Sequence, residues 1–316
     1  MNAPTATVES IAVDLAALCA GLPDLDIRVE RDGEGHWGAL LHLDRFVQWG
    51  VRAPTAAGLT SALRSEGLAS LRTDLEARRT GRPLPGRIAG PVVMEPMLAA
   101  VALHECVGHT SEADNFAEYG GRLGMSLGDR WTDLPLTVID DPTLPGHCGS
   151  YDTDDEGTAA EPVTLVEDGR WTGLLTSGRY GSRSNGHGRG AGDPVPRMGV
   201  LVASGGTATA SDLIGSVPDG FFLGALREGG SVREFVLLKP AWARRIRHGR
   251  LTDEIYTDLV LRGRKTQFMR RLRGIASDVT VADPYHRCEK YGRGVPVSLG
   301  APHLMFEGLW LYPDGK

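Results

Sequence analysis

The sequence is poor in cysteine, which excludes a protein built on a dense disulfide framework. Only four of its 316 residues are cysteines, and no two of them form a Cys-x-x-Cys pair: Cys19, Cys106, Cys148 and Cys288. A reducing compartment fits this content best. We therefore expect a cytoplasmic protein.

Long apolar runs are missing as well. No stretch reaches the roughly 18 uninterrupted apolar residues that mark a membrane-spanning helix. Residues 1–22 carry no basic segment, and Asp14 interrupts their apolar run. This pattern predicts an amphipathic helix and not a signal peptide. We expect a soluble protein that does not bind membranes.

The third missing feature is an excess of basic residues. Lysine and arginine number 34 against 40 aspartates and glutamates, which gives a formal charge of −6 at pH 7. Proteins dedicated to nucleic acids usually carry a basic face. We expect no nucleic-acid partner.

Hydrophobic residues make up 41% of the chain, enough for a substantial core. The N-terminal region has the periodicity of helices at 8–21 and 59–79 and of strands at 26–32 and 38–51. A Gly- and Pro-rich segment, GRPLPGRIAGP, then predicts a boundary near residue 82. The expected division is a small mixed α/β region at 1–82 and a second domain at 83–316.

The second domain begins with a short strand, VVMEP, and a helix at 96–107. From about residue 134, short alternating runs are separated by Gly, Asp and Pro, which is typical of antiparallel strands joined by hairpins. The turn Glu167-Asp168-Gly169 is one such hairpin. We predict an α+β protein whose second domain is rich in antiparallel β-structure.

The predicted helix at 96–107 is apolar except for a few residues that could bind a metal or act as a base. His104-Glu105 pairs a metal ligand with a possible general base, and a second histidine, His109, follows five residues later. On a regular helix those two rings would point about 140° apart. They can converge only if the helix contains a π-bulge or ends there, and Gly108 allows either. The alternative interpretation is a helix end with two hydrogen-bonded histidines.

A catalytic zinc site needs a third protein ligand and an open position. Six residues qualify by chemistry: His147, Cys148, His187, His286, Cys288 and His303. Cys288 lies in a Gly-flanked loop, HRCEKYGRGVPVSLG, that leads into a strand and would hold a thiolate rigidly. Its alternative is an ordinary buried thiol.

Five ordered motifs resemble the TldD/PmbA family of metallopeptidases, in particular its TldD-type, HExxxH-bearing members. They cover about residues 83–316 and comprise LHECVGHTSEADN (103–115), GSYDTDDEGTAAEPVTLVEDGRWTGLL (149–175), NGHGRG with PVPRM (185–198), CEKYGRGVPVSLGAP (288–302) and LMFEGLWL (304–311). The sequence departs from the family in two places. Its N-terminal region is shorter, and Gly199-Val200 follows Pro-Arg-Met where Thr-Asn is usual.

The resemblance implies one Zn²⁺ per chain, with His104, His109 and Cys288 as ligands and Glu105 as general base. It implies a β-rich, barrel-like catalytic domain in which a peptide lies extended along a sheet edge. It also implies a heterodimer with a PmbA-type paralogue that lacks HExxxH, or alternatively a homodimer.

The predicted function is zinc-dependent hydrolysis of amide bonds in peptides or unfolded segments. His187 and Arg197 are candidates for contacting the substrate and stabilising the oxyanion. Two alternatives remain: a diverged metalloenzyme that tailors a peptide-like natural product, and a non-catalytic subunit of a TldD/PmbA-type complex.

Overall fold

The structure, a computed structural model, describes residues 6–43 and 48–314. Its α-helices are α1 (Val8–Leu18), α2 (Ala56–Ala62), α3 (Leu68–Thr80), α4 (Pro96–Leu103), α5 (Ala113–Leu123), α6 (Ala210–Gly215) and α7 (Lys265–Met269). Two π-turns lie at Leu63–Gly67 and His104–Gly108, and a 3₁₀ turn lies at His109–Ser111. Across these described ranges, no helix combines the length and apolar character needed to cross a membrane.

The strands are, in chain order, β1 (Asp26–Arg31), β2 (Trp37–His42), β3 (Gln48–Ala53), β4 (Arg82–Pro83), β5 (Ile88–Met94), β6 (Val138–Asp140), β7 (Val163–Glu167), β8 (Arg170–Trp171), β9 (Gly188–Arg189), β10 (Val195–Pro196), β11 (Val200–Ala203), β12 (Asp219–Val232), β13 (Phe235–Arg247), β14 (Arg250–Thr257), β15 (Leu259–Arg264), β16 (Leu272–Ile275), β17 (Thr280–Ala282), β18 (Cys288–Lys290), β19 (Arg293–Val295), β20 (Ser298–Ala301) and β21 (Leu304–Pro313).

The N-terminal region, which we define as the described residues before β4, combines an antiparallel sheet β1-β2-β3 with helices α1 to α3. Helix α1 starts where expected because Thr7 caps it and exchanges hydrogen bonds with Ser10. The run 38–51, predicted as one strand, contains parts of two strands, β2 and β3, that pair with each other. Residues 44–47 of that run lie outside the described residues.

Five strands close into a barrel in the order β12-β5-β21-β15-β13, because β13 pairs back with β12. The pairings are antiparallel except for β5 with β12, which run parallel. The predicted hairpin turn is also present, since Asp168 and Gly169 join β7 to β8 with positive φ angles of 47° and 75°. The predicted α+β class with a β-rich, barrel-like second part is confirmed.

A six-stranded sheet, β17-β20-β11-β6-β7-β8, lies beside the barrel, and α4 packs between its strand β20 and barrel strand β12. The largest cluster of buried apolar side chains spans residues 84–311, and a second cluster spans residues 8–75 of the N-terminal region. The division near residue 82 remains a prediction.

One buried carboxylate links α3 to the barrel. Asp74 is 3% exposed and accepts a hydrogen bond of 2.9 Å from the indole nitrogen of Trp242. Burial raises the pKa of Asp74 to about 7, against the opposing effect of that hydrogen bond. The folded protein therefore holds a proton here that the unfolded chain releases near pH 4.

We predict that Asp74→Asn flattens the pH dependence of stability. In the native protein the free energy of unfolding should fall as pH rises from about 4 to about 7, because only the folded state must pay for ionising Asp74. The variant should be more stable at pH 8 by about 1–4 kcal/mol. Part of the slope should persist, since burial also raises the pKa of Glu95 to about 7. Denaturant unfolding at pH 5 and pH 8 measures this, with the exposed Asp253→Asn as control; an unchanged slope would contradict it.

Candidate metal centre

The two histidines meet because the backbone changes its winding between them. Helix α4 is buried and apolar up to Leu103, and a π-turn then runs from His104 to Gly108. Its closing hydrogen bond joins the amide of His109 to the carbonyl of His104, five residues earlier. The extra residue in the turn brings the two ring centroids to 4.6 Å. The predicted π-distortion is present.

The sequence suggested that Gly108 is needed for its backbone freedom, but the structure gives a different reason. Its φ of −56° and ψ of −64° are ordinary helical values. A Cβ at this position, however, would lie 2.1 Å from the sulfur of Met198. Glycine is needed here because the π-turn packs directly on the Pro-Arg-Met segment.

Cys288 completes a compact group with the two histidines. The nitrogen and sulfur atoms of His104, His109 and Cys288 that could bind a metal all lie within 4.8 Å of one another. The Cys288 Sγ is 3.4 Å from His109 Nε2. Burial disfavours the thiolate, but the charges of His109 and then His104 outweigh it, so the pKa of Cys288 lies well below its usual value.

This donor set fits a zinc ion. Two imidazoles and a thiolate are ligands that zinc prefers. His104 Nδ1 is buried and has no hydrogen-bond partner among the described residues. Three protein ligands would leave one position open for chemistry.

Glu105 lies beside this group, 7% exposed. Burial favours its protonated form, but the charges of His109 and His104 and a hydrogen bond with Ser231 outweigh it, and the pKa of Glu105 is lowered. The side chain is therefore a carboxylate near neutral pH. It can accept a proton from a nearby water.

A second layer of charge behind His109 could not be identified from the sequence. Glu112 is fully buried, and its Oε2 lies 2.9 Å from His109 Nδ1 and 2.8 Å from the Lys290 ammonium. Despite burial, the charges of Lys290 and His109 lower the pKa of Glu112 to about 2. Such a carboxylate fixes the ring so that Nε2 faces Cys288. The signal for it in the sequence was Glu112, an acidic residue three positions after His109.

His187 and Arg197 do not reach the wall of the cavity at this site. His187 is fully buried, and its two ring nitrogens lie 3.0 Å from the Asn185 carbonyl and 3.1 Å from Asp140. Arg197 is also fully buried and donates to the main-chain carbonyls of Cys288 and Arg293. Contact with a substrate would require both side chains to leave these partners. Arg197 instead holds the segment that carries Cys288.

The remaining candidates for a third ligand lie apart from the histidine pair. His147 and the amide of Cys148 contact the Asp283 carboxylate, and His303 pairs with Asp278. His286 lines the cavity but is not part of the three-ligand group.

A cavity of about 950 Å³ opens onto the group. His104, Glu105, His109 and Cys288 line it from one side. Strand β3 and helix α2 of the N-terminal region, and residues 225–231 of β12, line it elsewhere. A substrate in this cavity would therefore contact both parts of the chain.

Comparison with known proteins points to one family. Residues 85–311 match the sequence profile described as the PmbA/TldA metallopeptidase C-terminal domain. A metalloprotease of Methanothermobacter thermautotrophicus is 32% identical over 277 residues, which are 82% of this chain and 58% of that protein. A zinc metalloprotease TldD homolog of Saccharolobus solfataricus is 24% identical over 69% of this chain and 50% of its own length. The chain thus spans about half the length of these curated relatives.

Solved structures share the fold at low sequence identity. TldE from Thermococcus kodakarensis aligns with a TM-score of 0.63 and 16% identity over 89% of this chain and 62% of its own. A putative modulator of DNA gyrase from Thermotoga maritima aligns with a TM-score of 0.69 and 16% identity, over 96% and 73%. These likenesses concern the fold alone.

Proposed function

The chain belongs to the PmbA/TldD family of metallopeptidases, and we propose that it is a zinc-dependent peptidase whose centre is formed by His104, Glu105, His109 and Cys288. The observation that carries this proposal is the convergence of two imidazoles and a low-pKa thiol beside an ionised glutamate, at the wall of a cavity. A structural zinc site has no use for an adjacent base.

His104, His109 and Cys288 would hold one Zn²⁺ per chain, and the ion would supply Lewis-acid chemistry that polarises the amide and makes water more acidic. Glu105 accepts a proton from the attacking water and delivers it to the leaving amine nitrogen. Ser231 helps to keep Glu105 ionised, because its hydroxyl lowers the pKa of that carboxyl. Glu112 and Lys290 keep the His109 ring fixed during the reaction.

We infer that the substrate backbone pairs with the outer edge of β12. This strand pairs with β13 along its length but with β5 only at residues 221–223. Beyond that point its second edge carries no strand within the described residues, and residues 225–231 line the cavity. An extended peptide can add to such an edge through main-chain hydrogen bonds.

Gly230→Val should obstruct this edge. A Cβ at Gly230 meets nothing within 4 Å, so the valine projects into open space without backbone strain. We expect kcat/KM for peptides to fall roughly 10- to 100-fold, with zinc content and melting temperature unchanged. Gly263→Val on β15 is the matched control, since it also faces open space but does not line the cavity. Equal losses in both variants, or none at Gly230, would contradict the assignment of this edge.

The cavity also supports a second candidate. Its volume of about 950 Å³ lies within the range typical of small-molecule sites. This favours a short peptide, or a peptide-like natural product, over a long unfolded segment. Comparing cleavage of short and long versions of one peptide separates the two.

The assembly proposed for this chain is a heterodimer with a PmbA-type paralogue lacking HExxxH, with a homodimer as the alternative. A cytoplasmic location is proposed because all four cysteines are free thiols.

Metal removal tests the proposed function. A chelator should abolish hydrolysis of an unstructured peptide mixture, and stoichiometric Zn²⁺ should restore it, because two imidazoles and a thiolate are ligands that zinc prefers. The assay is run on the chain alone and with a co-expressed paralogue. Absence of cleavage by the zinc-loaded protein in both formats would refute the peptidase assignment.

A further inference from the structure

The segment that carries Cys288 is held by the N-terminal region. Residues 283–287, here called the strap, connect β17 to β18 and end next to Cys288. The amide of Arg52 donates to the carbonyl of Asp283 at 2.7 Å. Val51 forms an antiparallel bridge with Pro284. The edge of β3 therefore pairs with the start of the strap.

The Arg52 side chain extends this contact along the strap. Its Nε donates to the Tyr285 carbonyl at 2.9 Å, and its guanidinium lies 5.4 Å from the centre of the Tyr285 ring. The other two nitrogens donate to Asp32 at 3.0 Å and Glu30 at 2.6 Å. Arg52 is only 5% exposed. A buried guanidinium with a partner at each of its three nitrogens fixes these partners geometrically.

A second arginine ties the end of the strap to the same carboxylates. Arg287 donates to Asp32 at 2.8 Å and to Glu34 at 3.2 Å. Asp32, Glu34 and His36 could hold a cation by spacing. Because Arg52 and Arg287 already occupy those carboxylates, the group is an ion-pair network and not a second metal site.

The strand that carries Cys288 has no support from the barrel sheet. Among the described residues, β18 pairs only with β19, in a two-stranded sheet separate from the barrel. Arg197 holds the main-chain carbonyl of Cys288. Lys290, two residues later, pairs with Glu112 at 2.8 Å and with Asp114 at 2.7 Å. The position of the thiol thus depends on the strap that precedes it, on Arg197 and on Lys290.

We propose that Arg52 is a positioning residue for the third metal ligand, so that the N-terminal region is part of the metal centre and not only a wall of the cavity. This inference rests on the proposed zinc site. Arg52 touches neither metal nor substrate; it acts through the strap on Cys288. Groups that orient a ligand in this way typically change metal affinity 10- to 100-fold.

The test measures metal binding directly. Zinc affinity is determined by competition with a chromophoric chelator, and Co²⁺ loading reports Cys288 through its thiolate-to-cobalt charge-transfer absorption. We expect Arg52→Gln to lower zinc affinity about 10- to 100-fold and to weaken the thiolate absorption per bound Co²⁺. Arg287→Gln should act in the same direction. Arg245→Gln is the control, because it also removes an ion pair, with Asp219, but neither residue lines the cavity.

The metal-binding results of the three variants and of the native protein each support or overturn a stated assignment. Native zinc affinity and native thiolate absorption in both Arg52→Gln and Arg287→Gln would overturn the proposal. An equal loss of zinc affinity in Arg245→Gln would also overturn it. Should Arg52→Gln fail to fold, Arg287→Gln decides, because its side chain is partly exposed and at the end of the strap. Native protein that binds neither Zn²⁺ nor Co²⁺ would instead refute the metal centre itself.

Discussion

We expect Glu105→Gln to lower kcat for peptide hydrolysis by about 10²- to 10⁴-fold while the zinc content stays unchanged. Glutamine keeps the size of the side chain and can still accept the hydrogen bond from Ser231. It cannot take a proton from water at neutral pH. Because Glu105 is not one of the three grouped donor residues, its loss should leave metal affinity intact.

The matched control for this variant is Glu66→Gln. Glu66 also lines the cavity, but it is exposed and belongs to the π-turn Leu63–Gly67 of the N-terminal region. It should retain most of the activity. A Glu105→Gln protein with native kcat would exclude Glu105 as the base. A Glu105→Gln protein that cleaves no peptide but keeps full biological activity would support the alternative of a non-catalytic subunit.

The second large effect concerns Cys288→Ser, which should lose zinc. A serine hydroxyl is not ionised at neutral pH, whereas the Cys288 thiol has its pKa held well below the usual value by His109 and His104 despite burial. We expect zinc affinity to fall by more than the roughly 10- to 100-fold that is typical when a group that only orients a metal ligand is removed. Elemental analysis of protein purified without chelator measures the loss.

Cys148→Ser is the control for thiol loss as such. Cys148 is buried like Cys288, but burial and the Asp283 charge raise its pKa to about 12. It is therefore a neutral thiol and should not bind zinc. Zinc retention in Cys288→Ser would exclude Cys288 as the third ligand, and equal loss in both variants would indicate a general effect on folding.

Local geometry made the distortion at the histidine pair predictable. A separation of five residues cannot place two rings on one face of a regular helix, so a π-turn or a helix end was required. The hairpin at Asp168-Gly169 was predictable for the same reason, since its turn chemistry is local. Both features are set by a few adjacent residues.

Contacts between distant residues were not predictable in this way. Cys288 lies 179 positions from His109, and sequence chemistry alone left it among six candidates. Lys290 and Glu112 are 178 positions apart. Arg52 carried no motif at all, because its role depends on Tyr285, 233 positions away. Closure of the barrel likewise depends on which strands pair with each other. The alternation of apolar and polar residues along one strand does not specify its partner strand.

The pairing of β5 with β21 has a consequence for the synthesis of the protein. These strands are far apart along the chain, since Leu304 of β21 pairs with Met94 of β5, 210 positions earlier (304 − 94), yet they are neighbours in the closed barrel. Such long-range pairing forms late and slowly. During translation, α4 and its histidines emerge about 200 residues before β21 can close the barrel, at roughly 5–20 residues per second. In that interval β5 has an unpaired edge, which is a site for aggregation. The barrel is therefore the part of the chain most in need of protection while it is being made.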